Sequence, residues 1–267
     1  MRLDDVRGFV LDVDGTLVHR AGHEAHVVPG AREVLDRIVE SGRPFALFSN
    51  GSHMPPAAFA RGLRDVGLPV EDEQFITPLC SVQAYLERFR RDAAVLPFVT
   101  DSAHEYLQRS GVRLVNGGDR VDAVFVAHTD EIDFPRLERA ARAVMAGARL
   151  LTGSYVAAYA GANGPIISRG AMVTAAISKA SGARPAVVGK PSNAAVREIR
   201  KRLGVPTEEI AVIGDDVFMD IPLGHLGGSK TILVRSGISA TIDLDRIPER
   251  RRPHATIEGV VELLEWL

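Results

Sequence analysis

The stretch "FVLDVDGTLV", Phe9 to Val18, decides how the chain is read. Phe9 to Val13 has the make-up of a buried strand, a short run dominated by apolar and β-branched residues. Two carboxylates, Asp12 and Asp14, stand one residue apart where that run ends, and Gly15 and Thr16 break it. Acidic groups at the end of a hydrophobic strand are costly unless something offsets their charge.

Working outward, "GFVLDV" (8–13), "RPFALFS" (43–49), "PAVVGK" (185–190), "IAVIGD" (210–215) and "KTILVR" (230–235) are continuous apolar runs. They lack polar alternation, the signature of parallel strands covered on both faces. Amphipathic helices lie between them. "PGAREVLDRIVESG" puts Val34, Leu35, Ile38 and Val39 on one face and stops at Gly42. "SNAAVREIRKRLG" starts on Ser192 as N-cap and stops at Gly204. This rhythm predicts an α/β fold, a doubly wound (Rossmann-like) parallel sheet. The middle of the chain has a second rhythm. "AVLPFVT" (94–100), "VRLV" (112–115), "VDAVFVAH" (121–128) and "RLLTGS" (149–154) are shorter strand runs, with helices near 102–110 and 134–147. Residues 80–185 are therefore expected to form an inserted smaller α/β domain, with 1–79 and 186–267 as the core.

A chain of 267 residues suggests about two domains, and its 46% hydrophobic content supports ordinary cores without staples. A single cysteine, Cys80, excludes an intrachain disulfide and reads as a small buried apolar residue. The net charge of −2 argues against a nucleic-acid footprint. No signal-peptide core and no run of membrane-spanning length is visible, so a soluble cytoplasmic protein, with no membrane partner, is the expectation.

In a parallel sheet, ligands bind beyond the carboxyl ends of the strands. Four strand ends here are polar: Asp12 to Thr16, "FSNGS" (48–52), "VGKPS" with Lys190, and "IGDDVFMD" with Asp215, Asp216 and Asp220. Any one of them is often only a cap or a turn; four converging on one crevice suggest a site. Two carboxylates about 3.5 Å apart repel by about 5 kcal/mol at an effective dielectric near 20. Such a cluster persists with a cation or a shared proton. All candidate ligands are oxygens, which suits Mg²⁺. Lys190, the Ser49 hydroxyl and backbone N–H groups near Gly15 and Gly51 are phosphate-cradling parts.

"LDVDGTL", "FSN", "GKP" and "GDDVFMD" together resemble the four ordered motifs of the haloacid dehalogenase-like phosphohydrolases, over Asp12 to Asp220. The insertion between motifs two and three resembles the C2 cap of the type IIA group, which includes NagD and p-nitrophenyl phosphatases. The resemblance implies a Mg²⁺-dependent phosphatase acting on a small phosphorylated metabolite. Asp12 would be the nucleophile, forming an aspartyl-phosphate. Asp14 would protonate the leaving alcohol and then deprotonate water, while its backbone carbonyl binds the metal. Ser49, the Asn50 backbone, Gly15, Gly51 and Lys190 would hold the phosphoryl group. Asp12, Asp14 and Asp215 would bind Mg²⁺, and Asp216 and Asp220 would orient waters or Lys190. Asp14 speaks against a dehalogenase, and the lack of membrane helices against a pump. Type IIA relatives often dimerise through the cap, which implies a homodimer. "IGDDVFMDI" also resembles phosphoamide and pyrophosphate phosphatases, and a non-catalytic phosphometabolite-binding protein on the same scaffold is the alternative from another class.

Two departures stand out. Phe218 and Met219 replace an acidic residue and a threonine common in type IIA motif four, and Leu151 to Gly161 departs where the cap is expected to meet substrate. Other features read more plainly. His19, His23 and His26 read as solvated histidines of a flexible loop, although His19 or Arg20 follows motif one closely enough to brush the substrate. Tyr155 and Tyr159 read as cap core, "GANGP" (161–165) as a loop or a cap edge closing over the site, "RIPERRRPH" (246–254) as a charged surface loop, and Trp266 as packing of a C-terminal helix.

Overall fold

The computed structural model describes residues 2–21, 24–116, 120–159 and 166–267. His23 and the segment 161–165 lie outside the described residues. The chain begins with β1 (Gly8–Leu11), the ribbon strands β2 (Val18–Ala21) and β3 (Glu24–Val27), α1 (Ala31–Glu40), β4 (Phe45–Phe48), α2 (Pro56–Asp65), β5 (Phe75–Ile76) and α3 (Pro78–Phe89). There follow β6 (Val95–Phe98), α4 (Asp101–Arg109), β7 (Ala123–Val126), α5 (Phe134–Met145), β8 (Arg149–Thr152), β9 (Ala158–Tyr159), β10 (Ile166–Ile167), α6 (Arg169–Ser181) and β11 (Ala186–Val187). The chain closes with α7 (Asn193–Leu203), β12 (Ile210–Gly214), α8 (Asp220–Gly227), β13 (Lys230–Val234) and β14 (Ala255–Ile257).

The first sheet is parallel, in the order β14-β13-β12-β1-β4-β5. The chain winds outward from β1 through β4 to β5, then returns to the other side of β1 and winds out through β12, β13 and β14. The order therefore reverses between β1 and β12, and that switch point opens the crevice where such sheets bind ligands. Asp12 follows β1 and Asp215 follows β12, so the reversal itself brings these two carboxylates together.

The continuous apolar runs are explained by burial on both faces. Phe9, Leu11, Phe45, Leu47, Ala211 and Ile213 face α1, α2 and the 3₁₀ turn at Val260–Glu265. Val10, Ala46, Phe48, Ile210 and Val212 face α7, α8 and Cys80 of α3. A second parallel sheet, in the order β11-β8-β7-β6, is formed by the inserted smaller α/β cap. Helices α3 and α7 lie between the sheets: Cys80, Ala195 and Ile199 pack on the first, and Leu79, Val82 and Ala194 on the second. Ser192 caps α7 by accepting from the Ala195 N–H at 3.0 Å, and Gly204 ends the helix in the left-handed region.

Several sequence expectations are corrected. "PAVVGK" forms only a two-residue strand, which pairs with β8 in the second sheet and not with the core sheet. Its apolar composition is the same in either place, so composition does not choose between them. "VRLV" is no strand: Leu114 makes one isolated bridge to Val95. Val39 is exposed, because the buried stripe of α1 is Val34, Leu35 and Ile38. His19 and His26 do not lie in a loop; they pair across the antiparallel β2–β3 ribbon. Tyr155 and Tyr159 are not core, being 43% and 42% exposed. The C-terminal segment is a 3₁₀ turn rather than an α-helix, although Trp266 does pack against the first core.

Candidate active site

Lys190 is the centre of the crevice. Its ammonium is almost fully buried and contacts two carboxylates, Asp12 and Asp220. The bond to Asp220 Oδ1 is 2.7 Å. Asp220 opens α8, and its other oxygen accepts from the Asp216 N–H at 3.0 Å. Asp220, expected to orient waters or Lys190, thus touches the Lys190 ammonium directly. Asp12, Asp215 and Asp220 each direct a carboxylate oxygen to a common space, all within 4.8 Å of one another.

Asp215 is held from one side. Its Oδ2 accepts from the Ile238 N–H at 2.7 Å. The neighbouring backbone approaches so closely that a Cβ on Gly237 would lie 1.9 Å from that oxygen, and one on Gly15 would lie 2.3 Å from it. Gly15 also has φ +88°, a conformation that favours glycine. Its carbonyl accepts from Ser236 Oγ at 2.7 Å. The segment Ser236–Ile238 thus builds the site's floor, and nothing in its sequence, "SGI", signals this. Asp216 turns away to accept from the Phe218 N–H at 2.7 Å. The Phe218 ring is 62% exposed, so it does not pack against the sheet.

At the end of β4, the Ser49 hydroxyl accepts from the Gly51 N–H at 3.0 Å, which leaves its own proton free to donate. The Gly15 N–H donates to Val18 O at 2.8 Å. Both glycine amides expected to cradle phosphate therefore already have acceptors. Asn50 contributes its side chain instead, donating from Nδ2 to Lys190 O at 3.0 Å and accepting from the Lys190 N–H at 2.8 Å.

Asp14 stands in a more open place than Asp12. It lies beyond the strand, its side chain is 49% exposed, and its Oδ1 accepts from Arg20 Nε at 2.5 Å. Both aspartates lie beyond β1, which ends at Leu11, and their side chains take different partners, Lys190 for Asp12 and Arg20 for Asp14. Past the site, His53 and His128 approach edge to face with ring centroids 5.8 Å apart, and the His128 N–H donates to Ser52 Oγ at 3.1 Å. His128 belongs to the cap sequence and His53 to the loop after β4. Neither histidine stood out in the sequence, since neither belongs to a motif.

The electrostatics follow from burial. Burial pushes the Asp12 carboxyl well above the usual carboxylate range, against Lys190 and helped by Asp220 and Asp215. Asp215 is pushed up to about 6 by burial, then by Asp220, with the Ile238 N–H opposing. Burial alone would lower the Lys190 ammonium, but Asp12 and Asp220 outweigh it and the net direction is up. Three carboxylates around one ammonium leave a surplus of negative charge. Asp220 spends both oxygens on Lys190 and Asp216, while Asp215 Oδ1 accepts no hydrogen bond from the described residues. Hard oxygen donors with unspent charge are what a divalent cation needs, so the residues fit one.

A groove of about 670 Å³ lies elsewhere, between α3 and α7, lined by Glu87, Arg88, Arg197, Arg200 and Lys201. Both helices end there, and cations at helix C-termini offset the macrodipole.

The comparisons with known proteins agree with this geometry. Residues 9–113 match the profile of the haloacid dehalogenase-like hydrolases, and residues 187–263 match the related HAD-hydrolase-like profile. Ribonucleotide monophosphatase NagD of Escherichia coli K12 is 30% identical over 253 residues, covering 92% of this chain and 94% of that protein. The 5'-nucleotidase YutF of Bacillus subtilis is 23% identical over 98% of each chain. The solved structure of p-nitrophenyl phosphatase from Archaeoglobus fulgidus superposes with a TM-score of 0.86 at 26% identity, covering 98% of this chain and 100% of that one. The chain belongs to the haloacid dehalogenase-like hydrolases, and within them to the NagD-like phosphatases with a core and a cap.

Proposed function

We propose that the chain hydrolyses a small phosphomonoester, with Mg²⁺, through an aspartyl-phosphate on Asp12. The observation that carries this reading is the buried Lys190 ammonium shared by Asp12 and Asp220, inside a trio of carboxylates completed by Asp215. The Asp12 and Asp215 carboxylates and the Asp14 backbone carbonyl would hold the cation. When bound, it supplies positive charge that offsets the repulsion between an anionic nucleophile and a phosphate dianion.

In the first step the Asp12 carboxylate forms a bond to phosphorus as the ester O–P bond breaks, and Asp14 gives its proton to the departing alcohol oxygen. In the second, water bonds to phosphorus, its proton goes to Asp14, and the Asp12–phosphate bond breaks. Lys190, the Ser49 hydroxyl and the Asn50 backbone stabilise the phosphoryl oxygens. Asp220 holds Lys190 in place, and Asp216 holds the turn that leads into α8. Gly15 serves by admitting Asp215, and Gly51 by orienting Ser49.

The cap, read as C2-type over residues 80–185 between core segments 1–79 and 186–267, would exclude bulk water and choose the substrate. Relatives named for nucleotides and for p-nitrophenyl phosphate support a small phosphorylated metabolite as the substrate class. Among the described residues no helix is long and apolar enough to cross a membrane. A cytoplasmic site of action, a homodimer formed through the cap, and no role for nucleic acid or membrane complete the reading. The test is p-nitrophenyl phosphate hydrolysis with and without Mg²⁺, in the wild type and in Asp12→Asn. Hydrolysis that survives both chelation and the substitution would refute it. A panel with phospholysine and pyrophosphate separates phosphoamide or pyrophosphate hydrolysis, and zero turnover with retained binding would point to a binding protein.

A further inference from the structure

We infer that Arg20 is a positioning residue: it fixes the direction of the Asp14 carboxylate, and so the efficiency with which the leaving group receives its proton. This rests on the reading of Asp14 as the proton-transfer group. Arg20 stands on a hydrogen-bonded frame. The Leu17 and Val18 N–H groups both donate to Val13 O, at 2.9 and 3.0 Å, and the Gly15 N–H closes back on Val18 O. The Val28 N–H donates to Leu17 O at 2.9 Å, which ties the returning strand to the same turn. Arg20 therefore stands on a short ribbon whose base is anchored to the loop that carries Asp14, with Arg20 paired to Ala25 across it.

From that frame Arg20 Nε meets Asp14 Oδ1 at 2.5 Å. Both side chains are partly open to solvent, at 38% and 49%, so the pair adds little to stability. Its geometric effect is larger. A half-exposed aspartate would otherwise sample several rotamers, and a guanidinium is a planar, rigid donor that keeps its own proton. Arg20 cannot itself be the acid; it can only aim one. The neighbouring His53 is pushed toward its neutral form, by burial first and then by His128 and Arg20. Arg20 is therefore the fixed positive charge beside Asp14.

Aim matters most where the leaving group is poor, because a good leaving group departs without a proton. The test is a series of substituted phenyl phosphates, with kcat/KM read for wild type, Arg20→Met, Arg20→Lys and Asp14→Asn. This parameter covers the steps through leaving-group release, before the common attack of water on the enzyme. Arg20→Met is expected to lose about 10- to 100-fold on phenyl phosphate and less than about threefold on p-nitrophenyl phosphate. The dependence on leaving-group acidity thereby steepens. Arg20→Lys should fall between, and Asp14→Asn should show the same steepening or more. Equal loss of kcat/KM across the series in Arg20→Met, with steepening retained in Asp14→Asn, overturns the inference alone. No steepening in Asp14→Asn removes the reading of Asp14 and the inference with it. Melting curves matching the wild type, expected for so exposed a pair, confirm that folding is not what changed.

Discussion

Asn50 and Lys190, 140 residues apart, clasp each other through two hydrogen bonds: Asn50 Nδ2 donates to Lys190 O at 3.0 Å, and the Lys190 N–H donates to Asn50 Oδ1 at 2.8 Å. One side chain satisfies the donor and the acceptor of the residue that supplies the site's ammonium. The clasp ties the end of β4 to the start of the third motif, and the space for it exists because residue 189 is glycine. A Cβ there would lie 2.6 Å from Asn50 Oδ1. Asn50→Ala should leave two buried backbone groups without partners, at about 1–3 kcal/mol each before relaxation. A lower melting temperature and a drop in kcat of about tenfold or more are expected, read by calorimetry and by p-nitrophenyl phosphate turnover. Wild-type kcat would show that Lys190 is placed by other contacts.

Gly237 gives a steric test of the metal site. Its backbone carries no left-handed strain, but an added Cβ would lie 1.9 Å from Asp215 Oδ2. Gly237→Ala should displace that carboxylate. The Mg²⁺ concentration for half-maximal activity should rise about tenfold or more, since groups that orient metal ligands carry that much affinity. An unchanged Mg²⁺ curve would place the cation away from Asp215.

Asp215→Asn separates charge from shape. The amide oxygen can still accept from the Ile238 N–H, which now meets Asp215 Oδ2 at 2.7 Å. One carboxylate fewer relieves repulsion in the trio, worth about 4 kcal/mol per pair at 4 Å and an effective dielectric of 20 before relaxation. Without Mg²⁺ the variant should therefore melt at or above the wild type. With Mg²⁺ the wild type should gain stability by mass action and the variant should not. Equal Mg²⁺-induced shifts in both would contradict the assignment of Asp215.

Tyr106 gives a pH test far from the site. Its hydroxyl lies 3.6 Å from Cys80 Sγ. Burial, then Cys80, pushes the phenol well above its ordinary value of 10.0. The unfolded chain loses this proton first, so stability is full below pH 10 and falls as the pH rises above it. Tyr106→Phe should flatten the alkaline limb of a melting-temperature profile and shift the neutral value by no more than about 3 °C. A limb as steep as the wild type's would show that other groups cause it.

The core sheet was legible because four of its strands, β1, β4, β12 and β13, are buried on both faces and so read as continuous apolar runs. β5 and β14 were not, being two and three residues long. β11 was read as a strand but placed in the wrong sheet, since pairing partners are a tertiary property. Asp12, Lys190, Asp215 and Asp220 were legible as polar ends of apolar runs, and the structure brings them together. The ribbon carrying Arg20 was hidden by its own composition. Val18 and Val27 supply the apolar residues at its base, and the histidines between suggested a loop. The Asn50 clasp, the Ser236–Ile238 floor and the His53–His128 contact join segments far apart in the chain, and local pattern carries no trace of them.

The central claim is that Asp12 receives the phosphoryl group. Asp14→Asn mixed with Mg²⁺ and p-nitrophenyl phosphate, quenched in acid, tests it most directly. The good leaving group departs without a proton, whereas water lacks its base. The account predicts a burst of about one equivalent of p-nitrophenol per enzyme, and a phosphoryl adduct on the peptide that carries Asp12. Release without a burst, or an adduct on any other residue, would contradict it.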